Sequence, residues 1–398
     1  MTKTPNSNRV HIGIYGNRNA GKSSLFNAII GQDIAIVSEF EGTTTDPVFK
    51  AMELIPFGPV VWIDTAGLDD AGILGSLRVE KTKQMLQRTD FALYVLDGTN
   101  PDLAAFRAMQ DVFKRFNIPY MLIVNKEDLI TAASRAIVET IAYEKVFVTT
   151  QKISDIHKIN DLLQKRLSVL DEEEPLVGDL LSYGSTVVLV VPIDSEAPKG
   201  RIILPQVQII RDCLDHGIKC HVVRDTELAE SLEELKSIDL VITDSQAFAE
   251  VSKIVPKEIP LTGFSILLSR QKGDIVKLLQ GLEALKTLHS ESLILIAENC
   301  THNHSHEDIG RVKIPKLIHT KINPDVQIDY AMGHDFPLDL SKYDLVIHCG
   351  ACMVNRKSMI YRIDQAHSQD VPMTNYGLTL AYFSGILDRS IEILNVRK

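Results

Sequence analysis

The sequence predicts an α/β chain of three successive α/β domains, the first built on a mostly parallel sheet around a phosphate-binding loop. Short apolar runs, bounded by polar residues, alternate along the chain with stretches of helical periodicity. The first of these runs leads into a glycine-bearing loop and then a helix. A short acidic run closed by proline, Asp171-Glu172-Glu173-Glu174-Pro175, interrupts the pattern and suits an exposed linker. The domains expected on these grounds are 1–170, 171–270 and 271–398.

Composition narrows the function classes. The chain has 398 residues, 45% hydrophobic and 24% charged, the balance of a globular protein of about two to four domains. Its formal charge of -10, from 42 basic and 52 acidic residues, argues against a nucleic-acid or anionic membrane surface as its main business. The polar start, Met1 to Asn8, carries no apolar signal region, and no run approaches the ~20 apolar residues a bilayer span needs. A cytoplasmic location is expected. Five cysteines are too few for a disulfide framework and read as reduced thiols open to metal.

In the first domain, Arg9 to Tyr15 is a β-type run, Gly16-Asn17-Arg18-Asn19-Ala20-Gly21-Lys22-Ser23 follows, and Ser24 to Ile30 is helical in pattern. This is the setting of a phosphate-binding loop. Its glycines let the backbone from Asn19 through Ala20, Gly21, Lys22, Ser23 and Ser24 curl round a β-phosphate. Lys22 reaches the β and γ oxygens, Ser23 offers its hydroxyl to Mg²⁺, and the helix N-terminus adds positive potential. The companions come in order. Gly42-Thr43-Thr44-Thr45-Asp46 is a polar switch segment in which Thr44 is expected to complete the magnesium shell. After the strand Val60 to Ile63 comes Asp64-Thr65-Ala66-Gly67, where Asp64 holds magnesium through water and Gly67 senses the γ-phosphate by its N–H. Strands at Phe91 to Leu96 and Tyr120 to Val124 precede Asn125-Lys126-Glu127-Asp128, a guanine-reading motif. The Asp128 carboxylate accepts from the ring N–H and exocyclic amine of guanine, a pair adenine does not present, while Lys126 packs its stem along the base. Val148-Thr149-Thr150 reads as a degenerate last base-contact loop.

Residues 9 to 165 therefore resemble the translation-factor-like GTPases, above all the branch of the tRNA-modification and Era-type GTPases. Leu68 stands where Ras-like proteins place a water-orienting glutamine, so catalysis must find its electrostatic help elsewhere. In the resembled branch a potassium ion fills the arginine-finger place, held partly by a loop asparagine, and Asn19 occupies the matching position. The resemblance implies slow, Mg²⁺-dependent GTP hydrolysis stimulated by K⁺ more than by Na⁺.

The middle region alternates strand and helix: Thr186 to Val191, a helix near Leu204 to His216, Lys219 to Val223, a helix near Glu227 to Leu235, Leu240 to Thr243, and Pro260 to Phe264. It holds no catalytic constellation. His216 and His221 lie near Cys213 and Cys220 in sequence, a grouping that reads as packing rather than a ligand set. A unit without chemistry of its own is an interaction module, with self-association its natural use.

The last third carries the remaining chemistry. The apolar runs Leu293 to Ala297 and Leu345 to Ile347 read as buried strands followed by Cys300-Thr301-His302 and His348-Cys349-Gly350-Ala351-Cys352. Thiols at strand C-terminal ends meet at the edge where open α/β sheets bind ligands, and the set reads as a metal or iron-sulfur site. Three thiolates leave one further coordination place open to an exchangeable ligand. Candidates for that place are His302, His304, His306, His348 and Glu298, and hydrogen bonding around the cluster is an equal use for any one histidine.

A phosphate-loop GTPase joined to a C-x-H, spacer, H-C-x-x-C signature resembles the [FeFe]-hydrogenase maturation GTPases, the HydF family, over essentially the whole chain. The resemblance implies a [4Fe-4S] cluster on Cys300, Cys349 and Cys352, dimers through the middle domain, and a role as scaffold and carrier of the two-iron subcluster of the hydrogenase active site. It also implies two radical-SAM maturation enzymes and apo-[FeFe]-hydrogenase as partners. A second reading is an RNA-modification or ribosome-assembly GTPase with structural zinc, since three sulfurs and one nitrogen suit zinc as well. A third is a binding module that keeps nucleotide as a structural prop.

Overall fold

The computed structural model describes residues 5–31, 38–39, 48–65, 84–169, 174–193, 202–299, 308–333 and 335–395. The chain forms two compact units, Met1–Glu172 and Glu173–Lys398. Of the residues singled out above, Thr44, Gly67, Cys300, His302, His304 and His306 lie outside the described residues.

In the first unit the strands are β1 (Val10–Tyr15), β2 (Ser38–Glu39), β3 (Val48–Leu54), β4 (Gly58–Asp64), β5 (Phe91–Asp97), β6 (Tyr120–Asn125) and β7 (Lys145–Phe147). The helices are α1 (Lys22–Ile30), α2 (Leu103–Arg115), α3 (Ala132–Glu139) and α4 (Ile153–Leu167). The sheet order is β2-β3-β4-β1-β5-β6-β7. Every pairing from β4 to β7 is parallel, and only β3 runs against its neighbours.

Parallel strands covered on both faces need apolar residues at successive positions, and β5 shows why its run is continuous. Phe91, Leu93 and Val95 face a core with Leu25 and Ile29 of α1 and Ile159 and Leu163 of α4. Ala92, Tyr94 and Leu96 face a second core with Phe106 and Phe113 of α2. Helix starts follow local chemistry: the Asp102 side chain caps α2 by accepting from Ala105 N at 3.0 Å, and Thr131 caps α3.

The second unit has two four-stranded sheets. The first contains β8 (Thr186–Val190), β9 (Lys219–Val223), β10 (Leu240–Thr243) and β11 (Leu261–Gly263), with α5 (Leu204–Asp215), α6 (Leu228–Glu234), α7 (Phe248–Ile254) and α8 (Phe264–Lys272) between and after them. After α9 (Ile275–Leu282) the second contains β12 (Leu293–Glu298), β13 (Gln327–Met332), β14 (Leu345–His348) and β15 (Met373–Asn375). Its helices are α10 (Ile314–Lys321), α11 (Arg356–Ser368), α12 (Tyr376–Phe383) and α13 (Leu387–Glu392). The orders are β11-β10-β8-β9 and β13-β12-β14-β15, with parallel pairing throughout.

One hydrophobic core runs through both sheets of this unit. α8 and α12 are buried on nearly all sides, so they behave as core helices rather than amphipathic covers. They pack closely where Gly377 leaves no side chain: a Cβ there would stand 2.2 Å from Ser265 Oγ. Cys213 is buried, and Cys220 is half-buried on the edge strand β9.

Candidate nucleotide and metal sites

The nucleotide site lies where β1 gives way to α1. In a doubly wound sheet the chain leaves the first strand toward both sides, and the crevice at that strand's C-terminal end receives ligand. Here β1 lies between β4 and β5. Two loop positions admit no side chain. Gly16 has φ +141° and a Cβ would stand 2.2 Å from Val95 O; Gly21 has φ +93° and a Cβ would stand 2.1 Å from Asn125 Nδ2. Asn19 also lies in the left-handed region, at φ +62°, with an exposed side chain. Ser23 and Ser24 are exposed in the first turn of α1, whose N-terminus carries no acidic residue. Buried Lys22 folds over the loop and donates from Nζ to Gly16 O at 2.6 Å and Asn17 O at 2.9 Å.

Of the other motif residues, Asn125 reaches this loop directly, and Asp64 and Lys126 lie at or just after the C-terminal ends of β4 and β6. Asp64 ends β4 in register with Ile14, and Thr65 Oγ1 donates to Ile14 O. Asn125 ends β6 and donates from Nδ2 to Ala20 O at 2.9 Å, while its buried Oδ1 finds no protein partner. The asparagine of the base-reading motif thus braces the phosphate loop, and its orphaned acceptor fits a site finished by ligand or water. Lys126, at φ +60°, pairs from Nζ with Asp97 Oδ2 at 2.5 Å. Burial alone would raise the Asp97 carboxyl, but hydrogen bonds from Lys126 and Thr99 outweigh it and hold the group below the usual range. Buried Thr149 donates to Asp128 Oδ1 at 3.2 Å, and its own N–H donates to Asp155 Oδ2 at 2.8 Å. The Val148-Thr149-Thr150 loop therefore steadies the Asp128 carboxylate. Asp97 was not singled out by sequence; its signal was its place at the end of an apolar strand.

The candidate metal site lies at the equivalent edge of the last sheet. β12 lies between β13 and β14, so the crevice between the ends of β12 and β14 is the switch point of that sheet. Ala297 is in register with His348. Cys349 N donates to Ala297 O at 2.8 Å, and Asn299 N donates to Cys349 Sγ at 3.3 Å. Ala351, between the two cysteines of C-x-x-C, takes a left-handed φ of +55°. Burial pushes the Cys349 thiol up to about 11, so metal binding here must displace a proton. Among the described residues no three His, Cys, Asp or Glu side chains group as a metal-binding set.

Two of the candidate fourth ligands are committed to other partners. His348 is fully buried, and its Nδ1 meets Cys349 O at 2.8 Å while Nε2 meets Arg362 Nη1 at 2.8 Å and Asn299 Nδ2 at 3.2 Å. A carbonyl only accepts, so Nδ1 carries the hydrogen and Nε2 accepts. Burial first, then the Arg362 charge, lower this imidazole to about 3, leaving it neutral. Glu298 accepts from Tyr376 OH at 3.1 Å and Arg311 Nε at 3.3 Å. The segment after Cys352 is tied to α8, with Lys272 Nζ donating to Val354 O at 3.1 Å and Arg356 Nε to Gln271 O at 3.0 Å.

Comparison with known proteins assigns this architecture. Residues 176–273 match the hydrogen maturase F dimerization domain and residues 276–393 the hydrogen maturase F tetramerization domain, together more than half of the chain. The chain belongs to the hydrogen maturase F family. Residues 11–126 match the model described as a 50S ribosome-binding GTPase, so this family member carries an N-terminal GTPase domain. Both matched C-terminal models are described as self-association domains. GTPase Der of Wolinella succinogenes is 34% identical over 123 residues, 30% of this chain and 26% of that protein. The tRNA modification GTPase MnmE of Xanthomonas oryzae pv. oryzae is 39% identical over 150 residues, 37% and 32% of the two chains. The chain thus spans only a quarter to a third of these curated relatives. A structure of an Era variant from Aquifex aeolicus bound to GDP and AlF4⁻ is 19% identical, with a TM-score of 0.32 over 54% of this chain and 92% of that one. No helix among the described residues is long and apolar enough to cross a membrane.

Proposed function

We propose that this hydrogen maturase F family member is a GTP-hydrolysing scaffold that assembles and delivers the two-iron subcluster of the [FeFe]-hydrogenase active site in the cytoplasm. The observation that carries the reading is a C-x-x-C loop at the switch point of a parallel sheet, in the same chain as a complete phosphate loop. Cys349 and Cys352, with Cys300, are the thiolates that would hold a [4Fe-4S] cluster. Such a cluster supplies an iron open to exchangeable ligation, where a two-iron precursor would be carried as cargo. The amide hydrogen bond from Asn299 to Cys349 Sγ fits a sulfur that must bear negative charge. His348, held by Arg362 and Asn299, serves that site through the backbone it fixes, and His302 remains a candidate ligand.

At the other site Lys22 and the loop amides bind the β and γ phosphates, and Ser23 and Thr44 take Mg²⁺ with Asp64 behind them. Gly67 reads the γ-phosphate, and Asn125, Lys126 and Asp128 select guanine. Asn19 is assigned to K⁺, which supports slow, K⁺-stimulated hydrolysis. Dimers would form through residues 171–270, where the edge strand β9 is exposed and Val222 is 46% accessible. The partners are two radical-SAM maturation enzymes and apo-hydrogenase. RNA-directed GTPases with structural zinc draw support only from relatives of the first unit. The test is transfer: anaerobic protein loaded with cluster and two-iron precursor should activate apo-hydrogenase. Failure to do so, with cluster present, contradicts the carrier role.

A further inference from the structure

α11 turns a stripe of Ser358, Met359, Arg362, Ile363 and Ala366 into the interior. An arginine in such a stripe is costly unless its fork is fully used. The Arg362 guanidinium donates from Nη1 to His348 Nε2 at 2.8 Å and to Asn299 Oδ1 at 2.7 Å, and from Nη2 to Gly333 O at 3.0 Å. Its Cζ lies 4.8 Å from the Phe336 ring centroid. His348 ends β14, Asn299 follows β12, and Gly333 follows β13. One planar cation thus ties the ends of three neighbouring strands at the edge where Cys349 sits and from which the chain runs to Cys300. Asn299, which Arg362 orients, in turn donates its N–H to Cys349 Sγ.

We propose that Arg362 is the positioning residue of the metal site: its fork fixes the strand ends that present the cysteine ligands, and its buried charge offsets the negative charge of a thiolate-held cluster. This rests on the cluster reading above. Lysine matches the charge but not the fork, and that separates the two roles.

The full-length chain and its Arg362→Gln, Arg362→Lys and Phe336→Leu variants would be reconstituted anaerobically. Iron release to a chelator, cluster midpoint potential, thermal unfolding and GTP hydrolysis would then be measured. Arg362→Gln should release iron roughly ten- to a hundredfold faster. It should also lower the potential by about a tenfold shift in the reduction equilibrium, ~59 mV for one electron. Arg362→Lys should restore the potential while iron release stays fast. Phe336→Leu should accelerate release less and carries the test if Arg362→Gln does not fold. Wild-type release and potential in a folded Arg362→Gln protein, or unchanged release in Phe336→Leu where that variant stands in for it, overturn the proposal. A wild-type chain that takes up no iron or sulfide overturns the cluster reading beneath it.

Discussion

Two ligand edges, built on the same topological rule, are held in opposite ways. At the nucleotide edge the backbone does the shaping: Gly16 and Gly21 occupy conformations and clearances that no side chain allows, and Asn125 braces the loop they form. At the cysteine edge, where a metal site is proposed, the shaping falls to side chains, with Arg362, His348 and Asn299 bridging strand ends. A polyphosphate is bound by many amides along a curled chain. A cluster is bound by a few thiolates, so everything depends on where those few side chains are aimed.

The comparison is broken most severely by removing the reacting groups at either edge. Lys22→Ala should lower GTP hydrolysis by about a hundredfold or more while iron and sulfide per chain stay at wild-type levels; joint loss would show that the two sites depend on one another. Cys349→Ser or Cys352→Ser should do the reverse, abolishing cluster uptake with GTP turnover retained in a phosphate-release assay.

Intermediate effects test the shaping itself. Gly21→Ala must strain the backbone and push Asn125 aside, at a cost of about 1–3 kcal/mol, read as weaker GTP binding by titration calorimetry. Unchanged affinity would mean that the loop has room to give. The smallest effect belongs to the supports of the base-reading loop. Thr149→Ala should raise KM for GTP about fivefold, the weight of one hydrogen bond near 1 kcal/mol, with kcat unchanged. Acidification adds a signed check. The folded-state Asp97 carboxyl is depressed, so its pairing with Lys126 is present above the ordinary carboxylate range and lost only as pH falls through the depressed value. Binding of GTP should therefore be insensitive to Asp97 between pH 7 and about pH 5.

The nucleotide edge was legible because each of its motifs is a short contiguous run and their order is dictated by the ligand. The strands at Phe91, Tyr120, Leu293 and Leu345 were legible because buried parallel strands are apolar at every position. What stayed hidden has physical causes. α8 and α12 are buried on nearly all sides, so neither shows the 3.6-residue alternation that marks an amphipathic helix, and α8 was passed over behind an expected strand at Pro260 to Phe264. β13 is a half-exposed edge strand, and its mixed sequence read as spacer. Arg362 lies in no motif; only its place among Met359, Ile363 and Ala366 marks it. His348 was read as a ligand candidate because sequence shows a histidine beside a cysteine but not that both ring nitrogens are already engaged.

The most direct test of the scaffold account is the iron, acid-labile sulfide and zinc content of the full chain purified without oxygen. The account predicts about four irons and four sulfides per chain. About one zinc per chain with no sulfide would contradict it.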